Sequence, residues 1–139
     1  MKIRNAVESD VQFISDLEVL CWGADGASFD EFYQFVLNNS KSQSLQIIES
    51  SEGLIGYIGY SLFKNNKSID IWNLAISPKF RKKGYAQFLV GHVISQSKFL
   101  KINSISLKVS ETNISNKTVG SFISIPLQSL MIWILFSWV

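Results

Sequence analysis

A chain of 139 residues with net charge +2, 47% hydrophobic and 17% charged residues has the size of one domain and can bury a real core. Charged content below the usual ~25%, with only 2 prolines, excludes a disordered or linker-dominated chain, and the single cysteine, Cys21, excludes a disulfide scaffold. A net charge of +2 does not demand nucleic acid as partner. Met1-Lys2-Ile3-Arg4 runs straight into acidic Glu8 and Asp10 without a signal-peptide pattern, so a cytoplasmic protein is expected.

In chain order, Ile3, Ala6 and Val7 suit a first strand, and Glu8-Ser9-Asp10 carries the polar oxygens of a helix start. Val11, Ile14, Leu17 and Glu18 to Leu20 follow at helical spacing, until Gly23-Ala24-Asp25-Gly26 breaks the helix. Ser28 and Glu31 form a capping box before Phe32, Phe35 and Val36, a second helix that ends at Asn38 to Ser42. The pattern then turns to strands: Leu45 to Glu49, a turn at Ser50 to Gly53, Leu54 to Phe63, a turn at Asn65-Asn66, and Ser68 to Ile76. These predict an antiparallel meander. After Pro78, Gly84 to Leu100 returns to helical spacing, and Ile102 to Val109 alternates as a strand. The order β-α-α-β-β-β-α-β predicts an α/β (α+β) fold with a mixed sheet in three layers and a right-handed crossover through the Gly84 helix.

The segment with chemical content is Asn73-Leu74-Ala75-Ile76-Ser77-Pro78-Lys79-Phe80-Arg81-Lys82-Lys83-Gly84-Tyr85-Ala86-Gln87. A strand ends at Ile76, Pro78 blocks its continuation, and a basic loop leads into a helix. Helix N-termini expose unpaired N–H groups and partial positive charge, which favour an anion. Gly84 allows close approach to the backbone, Ala86 keeps the first turn small, and Arg81, Lys82 and Lys83 add charge. The segment reads as a diphosphate cradle. Neither the nucleotide P-loop pattern nor Gly-x-Gly-x-x-Gly is present.

Arg81-x-x-Gly84-x-Ala86, placed after a strand ending Leu74-Ala75-Ile76 and then Ser77-Pro78, resembles the acetyl-CoA-binding motif of the GNAT acyltransferase superfamily. The opening Ile3, Arg4, Ala6 and Asp10 is similar to that family's first strand and helix entry. Leu107-Lys108-Val109-Ser110-Glu111-Thr112-Asn113 is similar to its Leu-x-Val-x-x-x-Asn strand end. The resemblance covers residues 1–118 and implies a GNAT-like central sheet flanked by helices. It implies an N-acetyltransferase that moves an acetyl group from acetyl-CoA to a primary amine by direct attack, with no metal. It further implies that Leu74, Ala75 and Ile76 offer backbone groups to the pantetheine arm. Arg81, Lys82, Lys83, Gly84, Tyr85, Ala86 and Gln87 would hold the pyrophosphate, and Asn113 would meet the arm farther along, with Asn116 the choice if the register shifts.

The resemblance breaks in the tail. Residues 119–139 carry no charge, and the family's helix with Ala-x-x-Leu-Tyr, its Gly-Phe and its last strands are not recognisable there. The expected tyrosine, a general acid for the leaving thiolate, falls on Gly120 or Ile123, counting from Asn113 or Asn116. No tyrosine follows Tyr85, so the catalytic residue is unassigned. A shifted reading frame or a shortened gene, leaving a catalytically weak or inactive CoA-binding remnant, is the preferred account of the tail. The alternatives are a membrane anchor, since the run reaches the ~20 residues a span needs though Pro126 and Gln128 weaken it, and divergent strands completing the sheet or a dimer interface.

Other residues carry plainer readings. Lys79 to Lys83 alone would be a solvated turn, His92 a structural helix residue, and Cys21 a small buried apolar group. Trp22, Gly23 and Asp25 occupy the loop between the first two helices, which the resemblance makes part of an acceptor site but which reads equally as plain connection. Glu49, Glu52, Asp70 and Glu111 are candidate amine-deprotonating groups, each more simply a surface charge. No metal-ligand cluster is apparent. The sequence names neither the acceptor amine nor an oligomeric state.

Overall fold

The computed structural model describes residues 1–23, 26–38, 42–97, 101–110 and 120–126. The strands are β1 (Lys2–Asn5), β2 (Gln43–Ser50), β3 (Gly53–Phe63), β4 (Ser68–Ile76), β5 (Ser104–Ser110) and β6 (Gly120–Pro126). The helices are α1 (Val11–Trp22), α2 (Phe29–Asn38) and α3 (Tyr85–Ser97). Among the described residues the strands form a six-stranded sheet in sequence order, antiparallel throughout except for the parallel pair β4–β5, which α3 connects. This is the expected mixed sheet, with β1 adding a strand to the meander and β6 another beyond β5.

Local chemistry explains the elements. Ser28 Oγ accepts the Glu31 N–H at 3.2 Å, and the Glu31 carboxylate accepts the Ser28 N–H at 2.6 Å, the reciprocal box that starts α2. At α1 the entry is a 3-10 turn, Glu8–Asp10, where the Asp10 carboxylate accepts the Val7 N–H at 2.8 Å. On α1 the buried face is Val11, Ile14, Leu17, Glu18, Cys21 and Trp22, a stripe three or four residues apart, whereas Val19 and Leu20 face solvent.

Successive residues of the central strands divide between the two faces of the sheet. Ile47 and Tyr57 join Val11, Ile14, Leu17, Trp22 and Phe32 in one core, while Ile48 and Ile58 join Leu89, Val90, Val93 and Ile94 of α3 in the other. A sheet buried on both faces between α1–α2 and α3 is the expected three-layer arrangement.

One feature departs from simple alternation. Tyr60 pairs with Ile71 but Gly59 with Asn73, so Trp72 is an extra residue, a bulge in β4. Before it, Ile69 and Ile71 face α3; after it, Ala75 faces α1 and Leu74 and Ile76 pack on the α3 side. Period two would have put Asn73 and Ala75 on the α3 face. The bulge turns them to α1 instead.

α3 begins at Tyr85, one residue later than the expected start, because Gly84 has φ +85° and cannot continue a right-handed helix. Of the tail, Gly120–Pro126 is strand, pairing with β5 from Ser110↔Gly120 to Ser104↔Pro126. Asp25, Glu111, Asn113 and Asn116 lie outside the described residues. Among the described residues, no helix is long and apolar enough to cross a membrane.

Candidate functional site

β4 and β5 run side by side only from Ser68↔Ser104 to Ile71↔Leu107. From the bulge onward β4 keeps its pairing with β3, Leu74 opposite Ile58, Ala75 opposite Tyr57 and Ile76 opposite Gly56, while the ladder to β5 does not continue. The parallel strands therefore part at their carboxyl ends. In a strand–helix–strand crossover, that is also the end at which the helix begins.

The loop between them has a fixed shape. Pro78–Phe80 is a 3-10 turn, and Phe80 is buried in the α3-side core with Tyr85 edge-on to its ring, centroids 6.0 Å apart. Phe80 anchors the loop while the cations stay outside: Lys79 Nζ lies 4.9 Å and Lys83 Nζ 5.9 Å from the Phe80 ring centroid. Lys82, Lys83 and Gly84 are exposed. Lys82 (φ +62°) and Gly84 (φ +85°) are both left-handed, curling the backbone sharply before α3. The Gly84 carbonyl accepts the first helical bond, from Phe88 N–H at 3.0 Å, so the Tyr85 and Ala86 N–H groups belong to the first turn, which has no helical carbonyl to meet. Exposed lysines around such a turn favour an anion.

Arg81 does something different from its neighbours. Its Nε donates to the Ile76 carbonyl at 2.9 Å, and an Nη lies 3.6 Å from Cys21 Sγ on α1. The guanidinium thus ties loop, strand end and helix together. Burial pushes the Cys21 thiol up, with the Arg81 charge working against that shift. His92 is half-buried on α3. Among the candidate bases, Glu49 pairs with Arg4 at 3.1 Å, Asp70 accepts from Ser106 Oγ at 3.0 Å, and Glu52 sits in the β2–β3 turn. Among the described residues, no three His, Cys, Asp or Glu side chains gather as a metal ion would need.

Sequence reasoning overlooked a buried polar group on the α1 side. Glu18, almost fully buried, accepts from the Tyr57 hydroxyl, from Asn73 Nδ2 at 2.9 and 3.0 Å, and from the Ala27 N–H at 3.2 Å. Burial, and then the Glu18 charge, raise the Tyr57 hydroxyl well above the ordinary tyrosine range. The available signal was a carboxylate at an apolar-stripe position of α1, four residues after Ile14 and three before Cys21. The bulge that brings Asn73 to it left no such mark.

The family model for the acetyltransferase (GNAT) family matches residues 11–117, most of the chain. The chain belongs to the GNAT acetyltransferase family. No curated protein matches the sequence. Among solved structures, the spermidine N-acetyltransferase from Vibrio cholerae in complex with CoA and spermine is similar at TM-score 0.69 and 18% identity, covering 91% of this chain and 95% of that one. The spermidine/spermine N-acetyltransferase from the same organism in complex with manganese ions has TM-score 0.67 and 17% identity, covering 95% of each chain. The ribosomal-protein-S18-alanine N-acetyltransferase from Escherichia coli has TM-score 0.64 and 15% identity, covering 81% of this chain and 69% of that one. At such identities the likeness is one of fold. This GNAT chain is accordingly classed as an acyltransferase, with the basic loop before α3 inside the matched region.

Proposed function

We propose that this GNAT domain transfers an acetyl group from acetyl-CoA to a primary amine by direct attack. The observation that carries the reading is the splay of β4 from β5 at the carboxyl end of β4, with the left-handed, lysine-rich loop and the start of α3 at the same end. In this reading Lys82, Lys83, Gly84 and the first turn of α3 (Tyr85, Ala86, Gln87) hold the diphosphate. The edge of β4 at Leu74, Ala75 and Ile76, which β5 does not cover, takes the pantetheine arm as an added strand. Arg81 keeps its proposed place in this cradle and also shapes the loop through Ile76. Asn113 keeps its proposed role on the arm.

The chemistry needs little more than placement. The neutral amine nitrogen attacks the thioester carbonyl, the C–N bond forms, the C–S bond breaks, and a proton lost from nitrogen balances the proton gained by the leaving thiolate. The acceptor is proposed only as a class, an amine on a small molecule or a protein.

A second reading, a domain that binds CoA but transfers slowly, is favoured by one observation. The two positions counted for the proton-donating tyrosine, Gly120 and Ile123, both lie on β6, and neither has a side chain that can donate.

The test is calorimetric titration of the protein with coenzyme A, beside a thiol-release assay with acetyl-CoA and a panel of primary amines. The Lys82→Glu/Lys83→Glu variant alters only exposed side chains and is expected to weaken coenzyme A binding at least tenfold. Unchanged affinity in that variant would overturn the cradle assignment. Binding without thiol release would favour the second reading over the first.

A further inference from the structure

We propose that Glu18 is a positioning residue that ties the segment between α1 and α2 to the cofactor-side half of β4, so that the two sides of the site are set by one buried carboxylate. The inference rests on the proposed function for the meaning of those two sides, but its structural content is independent of it.

Three observations converge on Glu18. First, it draws a hydrogen bond from the Ala27 N–H at 3.2 Å, across nine residues of chain that include the α1–α2 connection. Second, the connection is pressed onto it: a Cβ added at Gly26 would lie 2.7 Å from Glu18 Cγ and 3.1 Å from Trp22 Cβ. Third, Asn73 gives its amide to both Glu18 oxygens, at 2.9 and 3.0 Å, while the Tyr57 hydroxyl binds from β3. Asn73 immediately follows the bulged Trp72 and immediately precedes Leu74, Ala75 and Ile76.

The bulge is what makes the link. Without it Asn73 would face α3, and Glu18 would be a buried carboxylate lacking its amide donor, a costly arrangement. With it, the amide and the carboxylate meet, and each stabilises the conformation the other requires. One turn farther along α1, Cys21 touches the Arg81 guanidinium that holds the Ile76 carbonyl. The last two turns of α1 therefore reach β4 on both sides of the Leu74–Ile76 edge, before it through Glu18 and after it through Arg81. Displacing Glu18 is expected to loosen residues 26–28 and to shift the cofactor edge in the same event.

The experiment uses Asn73→Asp, which sets a second carboxylate against Glu18, and Glu18→Gln/Asn73→Asp, which restores a complementary amide–carboxylate pair with donor and acceptor exchanged. Readouts are amide hydrogen exchange at Ala27 and calorimetric binding of coenzyme A, both well below the melting temperature of each variant. Asn73→Asp is expected to speed exchange at Ala27 at least tenfold and weaken coenzyme A binding at least fivefold. The exchanged pair should return both to within twofold of the parent. Ile14→Ala, which removes core volume on the same helix but no hydrogen-bonding group, serves as the control for lost stability alone. No change in either readout, or the same changes in Ile14→Ala, would overturn the proposal. Should Asn73→Asp not fold, Tyr57→Phe removes only one donor to Glu18 and must move Ala27 exchange in the same direction, failing which the proposal falls. If the parent protein binds no coenzyme A, it is the proposed function that fails, and exchange at Ala27 decides the network by itself.

Discussion

Arg81 and Ile76 are joined across the end of β4, the Arg81 Nε donating to the Ile76 carbonyl at 2.9 Å. A residue in the middle of the basic loop is thus bonded to the residue that closes the strand, five positions earlier. A charged donor on a half-buried carbonyl is stronger than a neutral one, and it fixes the direction in which the chain leaves the sheet.

Arg81→Lys should therefore not be conservative. Lysine keeps the charge but lacks the planar fork that reaches the Ile76 carbonyl and Cys21 together. The loss of one charge-assisted bond is worth about 1.5–3 kcal/mol. Urea denaturation should show a loss of that size, and coenzyme A affinity should fall although net charge is unchanged. Parent-like stability and affinity in Arg81→Lys would mean that charge alone matters at this position.

Gly56→Ala offers a way to disturb the strand end from its other side. Gly56 pairs with Ile76, and a Cβ there would lie 2.3 Å from the Ala75 carbonyl oxygen and 2.8 Å from Ile76 Cδ1. The first of these neighbours is backbone, so β4 itself has to move. Overpacking of this kind costs typically about 1–3 kcal/mol. The expected outcome is a lower melting temperature together with weaker coenzyme A binding, even though Gly56 is remote in sequence from the loop. Full affinity with lowered stability would show that the edge of β4 tolerates the shift.

How much of this was legible beforehand follows from which signals are local. The Ser28–Glu31 box, the break at Pro78 and the apolar spacing of Leu89, Val93 and Ile94 are local, and the structure shows α2, the end of β4 and α3 accordingly. Lys82 and Gly84 stood out for charge and for the missing side chain, but their left-handed backbone is a property of the folded loop. The bulge at Trp72 was not legible, because alternation through Ile69, Ile71, Asn73 and Ala75 reads as one unbroken face. Missing it also hid the partnership of Asn73 with Glu18, which needs strand and helix brought together over 55 residues. Arg81 was legible as a cation but not as a brace, since nothing in the motif says which way its guanidinium turns.

The same brace predicts an unreactive thiol. Cys21 is buried, and burial raises its titration above the ordinary cysteine value despite the opposing Arg81 charge. Thiolate is the reactive form, so iodoacetamide at pH 8 should leave native protein unlabelled over times that fully label it in denaturant. The chain has 1 cysteine, which makes the mass shift unambiguous. Labelling in Arg81→Ala should be faster, because the guanidinium no longer packs over the sulfur and access is gained, although the loss of its charge works the other way. Rapid labelling of the folded parent protein would contradict the burial of this helix face.

Asp10 gives the fold a defined acid sensitivity. Its carboxylate accepts Arg4 Nη1 at 2.7 Å, Arg4 Nη2 at 2.9 Å and the Val7 N–H at 2.8 Å. Burial by itself would raise its titration, but the bonds from Arg4 and Val7 outweigh that and hold it below the ordinary aspartate value. A depressed native value means that the stabilisation is fully present above the unfolded aspartate value, ~3.9. It is lost as pH falls through that value and on through the lower native one. Asp10→Asn keeps the shape but removes the charge and one acceptor oxygen, and should cost about 2–4 kcal/mol at pH 7. Urea denaturation of parent and variant at pH 7, 4 and 2.5 measures the gap between them. The gap should narrow at the lowest pH, because a protonated Asp10 is then nearly the equal of asparagine. A gap that stays constant from pH 7 to 2.5 would show that the Arg4 pair contributes through packing and not through charge.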